Sequence, residues 1–217
     1  MGNGVLATDY LNVTDNNYAR GADLTGNADG SKGMASFWFF PVVGVNPIQS
    51  IYNASPGSNI ISYFTSFSAF RFTFVNTSAV SALFMFNTFS PAITVGVWHH
   101  ILASWDLTVP VLHLYIDDVN RIGSNSKIVT TIDYTQTDHG IGDNAAFGGG
   151  NLDSCISELY LNFSEFKDFS MISNRRLFID ATGNPVELGS DGSTPTGTAP
   201  LMYFPDGDGA VNAGSGG

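Results

Sequence analysis

The 217-residue chain is short of charge: only 12% of its residues are Asp, Glu, Lys or Arg, against roughly 25% in ordinary globular proteins. Cations are scarcest. Three Lys and five Arg stand against sixteen Asp and three Glu, a formal net charge of −11. Phosphate backbones are gripped by Lys and Arg, so this balance excludes nucleic acid as the main partner. Lack of Glu beside plentiful Asp argues against helix, because Glu supports helices whereas Asp favours turns and caps. The single cysteine, Cys155, excludes an internal disulfide. With no base or cation near it in sequence, it reads as a small strand residue rather than a reactive thiol. No run of 18 apolar residues exists, so no membrane-spanning helix and no membrane insertion are expected. The opening MGNGVLATDYLNV has no basic segment followed by an apolar run, and Leu6 stands where a myristoylation pattern needs Ser or Thr. Neither a secretory signal nor that lipid anchor is expected.

What is present points to strands. There are 24 Gly and nine Pro, and 43% of residues are hydrophobic. Trp98–Asp118, WHHILASWDLTVPVLHLYIDD, reads as two alternating strands joined by a polar loop. Trp98, His100, Leu102 and Ser104 share one face of the first, and His99, Ile101, Ala103 and Trp105 the other. In the second, Leu112, Leu114 and Ile116 oppose His113, Tyr115 and Asp117. A period of two sets one face against a core. Further strands are expected at Met34–Val43, at IQSIYN, NIISYFTS and FRFTF within Ile48–Phe74, at Ala82–Phe89, Lys127–Tyr134 and Leu152–Leu161, and at LMYF near the end. Asp138–Asn151 reads as a Gly- and Asp-rich loop. One helix is expected at about 168–179, capped by Ser170. The expectation is therefore all-β: a two-sheet antiparallel jelly-roll sandwich over 1–203 with one short helix near its end, then a flexible or truncated tail over 204–217.

Three segments resemble a known family. Ser36-Phe37-Trp38, then Gly96-Val97-Trp98-His99-His100-Ile101 with Leu114-Tyr115-Ile116-Asp117, then Leu152 to Leu161 are similar to the laminin-G-like, concanavalin A-like lectin and glucanase modules. Asn174–Asp180, Gly183–Gly189, Pro195-Thr196-Gly197 and, near the start, Ala22–Gly26 with Asp29–Gly33 are similar to a pattern of tailed-phage proteins of this kind. The resemblance implies a non-enzymatic sandwich used for attachment: a virion-surface protein, on capsid or tail, made in the host cytoplasm without export. Its implied partners are other virion proteins and host-surface glycans. A purely structural decoration protein, binding only other virion proteins, is the first alternative. A glycoside hydrolase on the same fold is the second.

The residues weigh against the hydrolase. Glycosidases of this fold place two carboxylates about 5 Å apart on one strand face, in a Glu-x-Asp-x-x-Glu pattern. Here Glu158 is followed two positions on by Tyr160, and the remaining glutamates, Glu165 and Glu187, are isolated in sequence. No Gly-x-Ser-x-Gly elbow offers a nucleophile, so no catalytic residues are assigned. Calcium favours hard oxygen ligands. Asp133, Asp138, Asp143, Asn144 and Asp153 could supply them, as could Asp23, Asn27 and Asp29. The competing expectation is that these residues simply make turns. His99, His100 and His113 lack an evident third zinc ligand. Tyr52, Tyr134, His139 and Phe147 fall near loops and are the expected sugar-stacking groups. Phe37, Phe39, Phe64, Phe70, Phe72, Phe74, Phe84 and Phe86 are expected to fill the core. Strands such as SALFMFNTF, bulky on both faces, need either a covering loop or an interface, and imply a homo-oligomer.

Overall fold

Alternating large apolar side chains pair the strands into two antiparallel sheets that enclose an aromatic interior. A computed structural model of the chain describes residues 11–12, 18–20, 23–42, 47–66, 68–87, 91–142, 152–205 and 211–217. In chain order the elements are β1 (Leu11–Asn12), β2 (Tyr18–Arg20), β3 (Lys32–Phe40), β4 (Ile48–Ser55), β5 (Asn59–Phe64), β6 (Ala69–Val75), β7 (Ser81–Asn87), β8 (His99–Asp106), β9 (Val111–Ile116), β10 (Val119–Asn120), β11 (Ile122–Lys127), β12 (Asp138–Ile141), β13 (Cys155–Asn162), the helix α1 (Ile172–Arg175) and β14 (Met202–Phe204). The first sheet runs β1-β13-β3-β8-β9-β10, with β14 also on β13; the second runs β11-β7-β6-β5-β4-β12-β2. This is the jelly-roll sandwich the sequence predicts.

Between the sheets, Phe37 and Phe39 of β3 meet Phe70 of β6, with ring centroids 5.8 and 5.0 Å apart. Further along, Phe74 of β6 lies 4.9 Å from Trp105 of β8. Trp105 fits because its cross-strand partner is Gly33; a Cβ there would come within 2.4 Å of the indole. The buried indole N–H donates to the Tyr134 hydroxyl at 2.6 Å, which donates to the Lys32 carbonyl at 2.9 Å. Such pairing removes the cost of burying polar tips.

The outward face of the first sheet is covered too. Met34, Leu102, Tyr115 and Tyr160 form a second buried cluster with Phe169, Phe178, Leu188 and Tyr203 of the C-terminal segment. All eight residues of β8 are consequently buried, where alternation alone predicts one wet face. The β9–β10 turn pins this cover. Asp117 and Asp118 both take positive φ, 51° and 62°, as a type I′ two-residue hairpin requires. The Asp118 carboxylate accepts from Arg175 Nε and, at 2.6 Å, from Arg176 Nη2. Asp117 turns the other way, to the His99 ring and the His100 N–H.

Four expectations are corrected. The helix shrinks from about 168–179 to four residues, and Ser170 does not cap it: its N–H and hydroxyl both bond to Asp168 Oδ1. The backbone instead curls around the buried Arg175, which donates to the Phe169 and Ser170 carbonyls. Lys127–Tyr134 is not a strand. Pairing ends at Lys127, Ile128 and Val129 are exposed, and Ile132 makes a single bridge to Gly30. Asp138–Ile141, read as loop, is β12, inserted between β2 and β4. Finally, the described end of the expected tail is tied down: Ala213, Ser215 and Gly216 donate backbone bonds to Tyr203, Pro200 and Leu201, and Thr25 donates to Gly216.

Candidate functional site

The expected sugar-stacking rings lie inside. Tyr52, Tyr134 and His139 are 1%, 0% and 2% exposed, so none offers a free face to a ligand. Tyr52 of β4 meets Phe163 at 5.6 Å, Tyr134 stacks on the same ring at 4.6 Å, and His139 of β12 lies beside Tyr52. His139 Nε2 faces the Gln136 carbonyl at 2.9 Å and its Nδ1 faces the Tyr52 hydroxyl at 3.1 Å. Nε2 also lies 3.3 Å from Asp23 Oδ1, so this nitrogen faces two acceptors and carries the donated proton. Phe147, Asp143 and Asn144 lie outside the described residues.

The described acidic groups serve as turn fasteners. Asp29 Oδ1 accepts from the Tyr134 and Thr135 N–H groups at 3.0 and 3.2 Å and from the Thr135 hydroxyl at 3.0 Å. Asp23 Oδ1 accepts from Leu24 N–H and Asn27 Nδ2, while Asn27 also donates to the Tyr134 carbonyl. Asp133 takes the Thr135 hydroxyl at 3.3 Å; Asp138 is exposed on β12, and Asp153 half-buried just before β13. Among the described residues, no three His, Cys, Asp or Glu side chains gather as metal ligands. A cleft of about 380 Å³ opens beside Asp29, Lys32, Phe163 and Ser164. Its charges are engaged, Asp29 as above and Lys32 with Asp106 at 3.4 Å.

The histidines are structural. His100 is buried, its Nε2 is 2.9 Å from Ser36 Oγ, and burial pushes its pKa down to about 3. A ring so buried and so reluctant to take a proton is a poor base for Ser36. For His99, burial opposes the charge, but the Asp117 carboxylate and the Thr94 carbonyl outweigh it and raise the pKa above 6.5. The glutamates are likewise engaged: Glu158, in the β13 bulge, accepts from the Tyr203 hydroxyl at 3.0 Å, and Glu165 from Thr198. The Cys155 thiol is half-buried and burial raises its pKa, as for an inert strand cysteine.

The outward face of the second sheet differs. Alternation sends Phe70, Phe72 and Phe74 inward and Arg71 and Thr73 outward. Register then sets Ser62 of β5, Arg71 of β6 and Phe86 of β7 in one row across three strands. Phe64, Phe84 and Phe86 are half-buried on this face. Phe84 and Phe86 lie parallel, 2° apart in tilt with centroids at 6.3 Å, and Phe64 meets Phe86 edge-on at 5.9 Å. Arg71 Cζ sits 4.9 Å above the Phe64 ring, a cation–π contact. Burial lowers the Arg71 pKa, but an arginine stays charged at neutral pH. Among the described residues, its Nε is buried without a hydrogen-bond partner, as is the Ser62 hydroxyl, whose residue is 1% exposed. From sequence, most of these phenylalanines are expected in the core and, from the two-sided bulk of SALFMFNTF, some against a covering loop or an interface; Arg71 is given no role.

No family model matches the chain, and no curated protein matches it. Solved structures do. A heptameric serum-amyloid-P-like pentraxin of Limulus polyphemus aligns with 76% of this chain and 79% of its own, at TM-score 0.53 and 12% identity. A Bacteroides ovatus protein, provisionally designated carbohydrate-binding, aligns with 91% of this chain at TM-score 0.57 and 11% identity. The binding domain of botulinum neurotoxin serotype G aligns with 82% at TM-score 0.55 and 15% identity. The chain spans 50% and 45% of the length of the latter two. At these identities the likeness is one of fold, and the fold is a concanavalin A/laminin-G-like sandwich.

Proposed function

We propose that the chain is a non-enzymatic, glycan-binding sandwich whose binding face is the outward side of β5, β6 and β7. One observation carries the reading: Phe84 and Phe86 present parallel, half-buried rings beside an arginine Nε and a hydroxyl that have no hydrogen-bond partner among the described residues. Aromatic surface with a few convergent polar groups is what a small-ligand site uses. The similar carbohydrate-binding protein and toxin binding domain add support at the level of shared architecture. Binding rather than turnover is favoured by the engagement of Glu158 and Glu165 in hydrogen bonds and by the uncharged, buried His100. A place on the surface of a phage virion, with capsid or tail proteins as neighbours, rests on the sequence resemblance alone. In that setting the face would attach the particle to host glycans.

A glycan array probed with the wild-type chain and with Phe86→Ala tests the reading. Retention of at least one glycan is expected, lost in Phe86→Ala with the unfolding temperature little changed. Failure of the wild type to retain any glycan, or retention undisturbed in a folded Phe86→Ala, contradicts it. Firm occupancy on particles without glycan binding would instead favour the decoration-protein reading.

A further inference from the structure

Among the described residues, two arginines lie over aromatic rings, and they differ in one respect. On the first sheet, Arg175 Cζ lies 4.5 Å above the Tyr115 ring, and its guanidinium takes the Asp118 carboxylate. On the second sheet, Arg71 lies over Phe64 in the same way, yet among the described residues no carboxylate pairs with it. The chain is rich in acids, nineteen against eight basic residues, yet among the described residues the acids that form ion pairs pair with other cations. The Arg71 Nε and the Ser62 hydroxyl opposite are buried polar groups without a hydrogen-bond partner among the described residues, a state that folding disfavours.

We propose that the missing partner is the carboxylate of an acidic sugar, so that the outward face of the second sheet selects carboxylated over neutral glycans. The inference rests on the glycan-binding reading above and names its ligand class. The planar guanidinium presents a fork matched to a carboxylate. Ser62 supplies a neighbouring hydroxyl donor. Phe86, on the other side of Arg71 in the same row, and Phe84 beside it carry the sugar ring. The surrounding net negative charge disfavours loose collection of anions, so recognition depends on this local pair rather than on bulk attraction.

Calorimetric titration tests it. The probes are a galacturonate trisaccharide and an N-acetylneuraminate-terminated trisaccharide, each beside its carboxyl-reduced neutral counterpart. The wild type should bind at least one acid form about tenfold or more tightly than the matched neutral form; which arm responds assigns the source of the carboxylate. Arg71→Gln should abolish the preference, Arg71→Lys should keep part of it, and added salt should weaken the acid arm alone. Ser62→Ala, chosen because it deletes only an unbonded hydroxyl, should weaken the acid arm about threefold and leave the neutral arm unchanged. Equal binding of acid and neutral forms, no binding of either acid form while neutral glycans bind, or a preference surviving in folded Arg71→Gln overturns the inference but leaves glycan binding standing. Absence of binding to every glycan overturns both.

Discussion

The two outward faces of the sandwich are built from similar residues and end differently. On the first sheet, Met34, Leu102, Tyr115 and Tyr160 are sealed by Phe169, Phe178 and Leu188, and Asp118 locks the cover through Arg175 and Arg176. On the second sheet, Ile60, Phe64, Phe84 and Phe86 stay half-buried around Arg71, whose Nε has no hydrogen-bond partner among the described residues. The first face consumes its apolar surface and its cations in folding. On the proposed reading, stability lies on one side of the molecule and recognition on the other, a contrast that mutation can break.

The largest effect belongs under the cover of the first sheet. Phe178→Ala should cost about 3–5 kcal/mol of unfolding free energy by urea titration, whereas Phe84→Ala on the other face should cost less than about 1 kcal/mol. A comparable loss at both sites would erase the distinction. Next comes the turn carboxylate. Asp118→Ala leaves Arg175 buried without its acid and should cost about 2–3 kcal/mol, with glycan binding retained. Arg71→Gln should do the reverse, changing stability little and binding greatly.

The pH dependence is smaller. His100 has its folded pKa pushed far below the unfolded value by burial, and burial also lowers that of His113. Their contribution to stability is complete above about pH 6.5 and is lost as pH falls toward the folded values. His99 has the opposite sign: its folded pKa is raised, so its contribution is complete below about pH 6.5 and fades as pH rises through the folded value. Between about pH 6.5 and 4.5 carboxylates with ordinary or lowered pKa remain largely ionised. Stability should therefore fall by about 2 kcal/mol over that interval, and His100→Leu should flatten the slope. An unchanged slope in that variant would assign the effect elsewhere. The smallest effect is expected from chelation: EDTA should move the unfolding temperature by less than about 2 °C, since Asp23, Asp29 and Asp133 already bond protein donors. A larger fall would restore the calcium set that includes Asp143 and Asn144.

Much of the fold was legible because alternation is local. Ile101, Ala103, Trp105, Leu114 and Ile116 share the inner face as their spacing requires. What covered the outer face was not legible, because Leu102 meets Phe178 only through a segment some seventy residues away in sequence. The same long range misled the assignment of Tyr52, Tyr134 and His139. Their loops look like rim, but contacts with Phe163, Trp105 and Gln136 draw them inside. The helix failed for a local reason: Asp168 takes the Ser170 groups expected to cap it. Arg71 was missed because its significance, a buried Nε without a hydrogen-bond partner among the described residues, depends on three-dimensional neighbours.

Hydrogen–deuterium exchange of the full chain, with and without saturating acidic trisaccharide, tests the central claim most directly. Added protection should concentrate in Asn59–Phe64, Ala69–Val75 and Ser81–Asn87 and vanish in Arg71→Gln. Protection confined to the loop-end cleft around Asp29, Lys32 and Ser164 would contradict it.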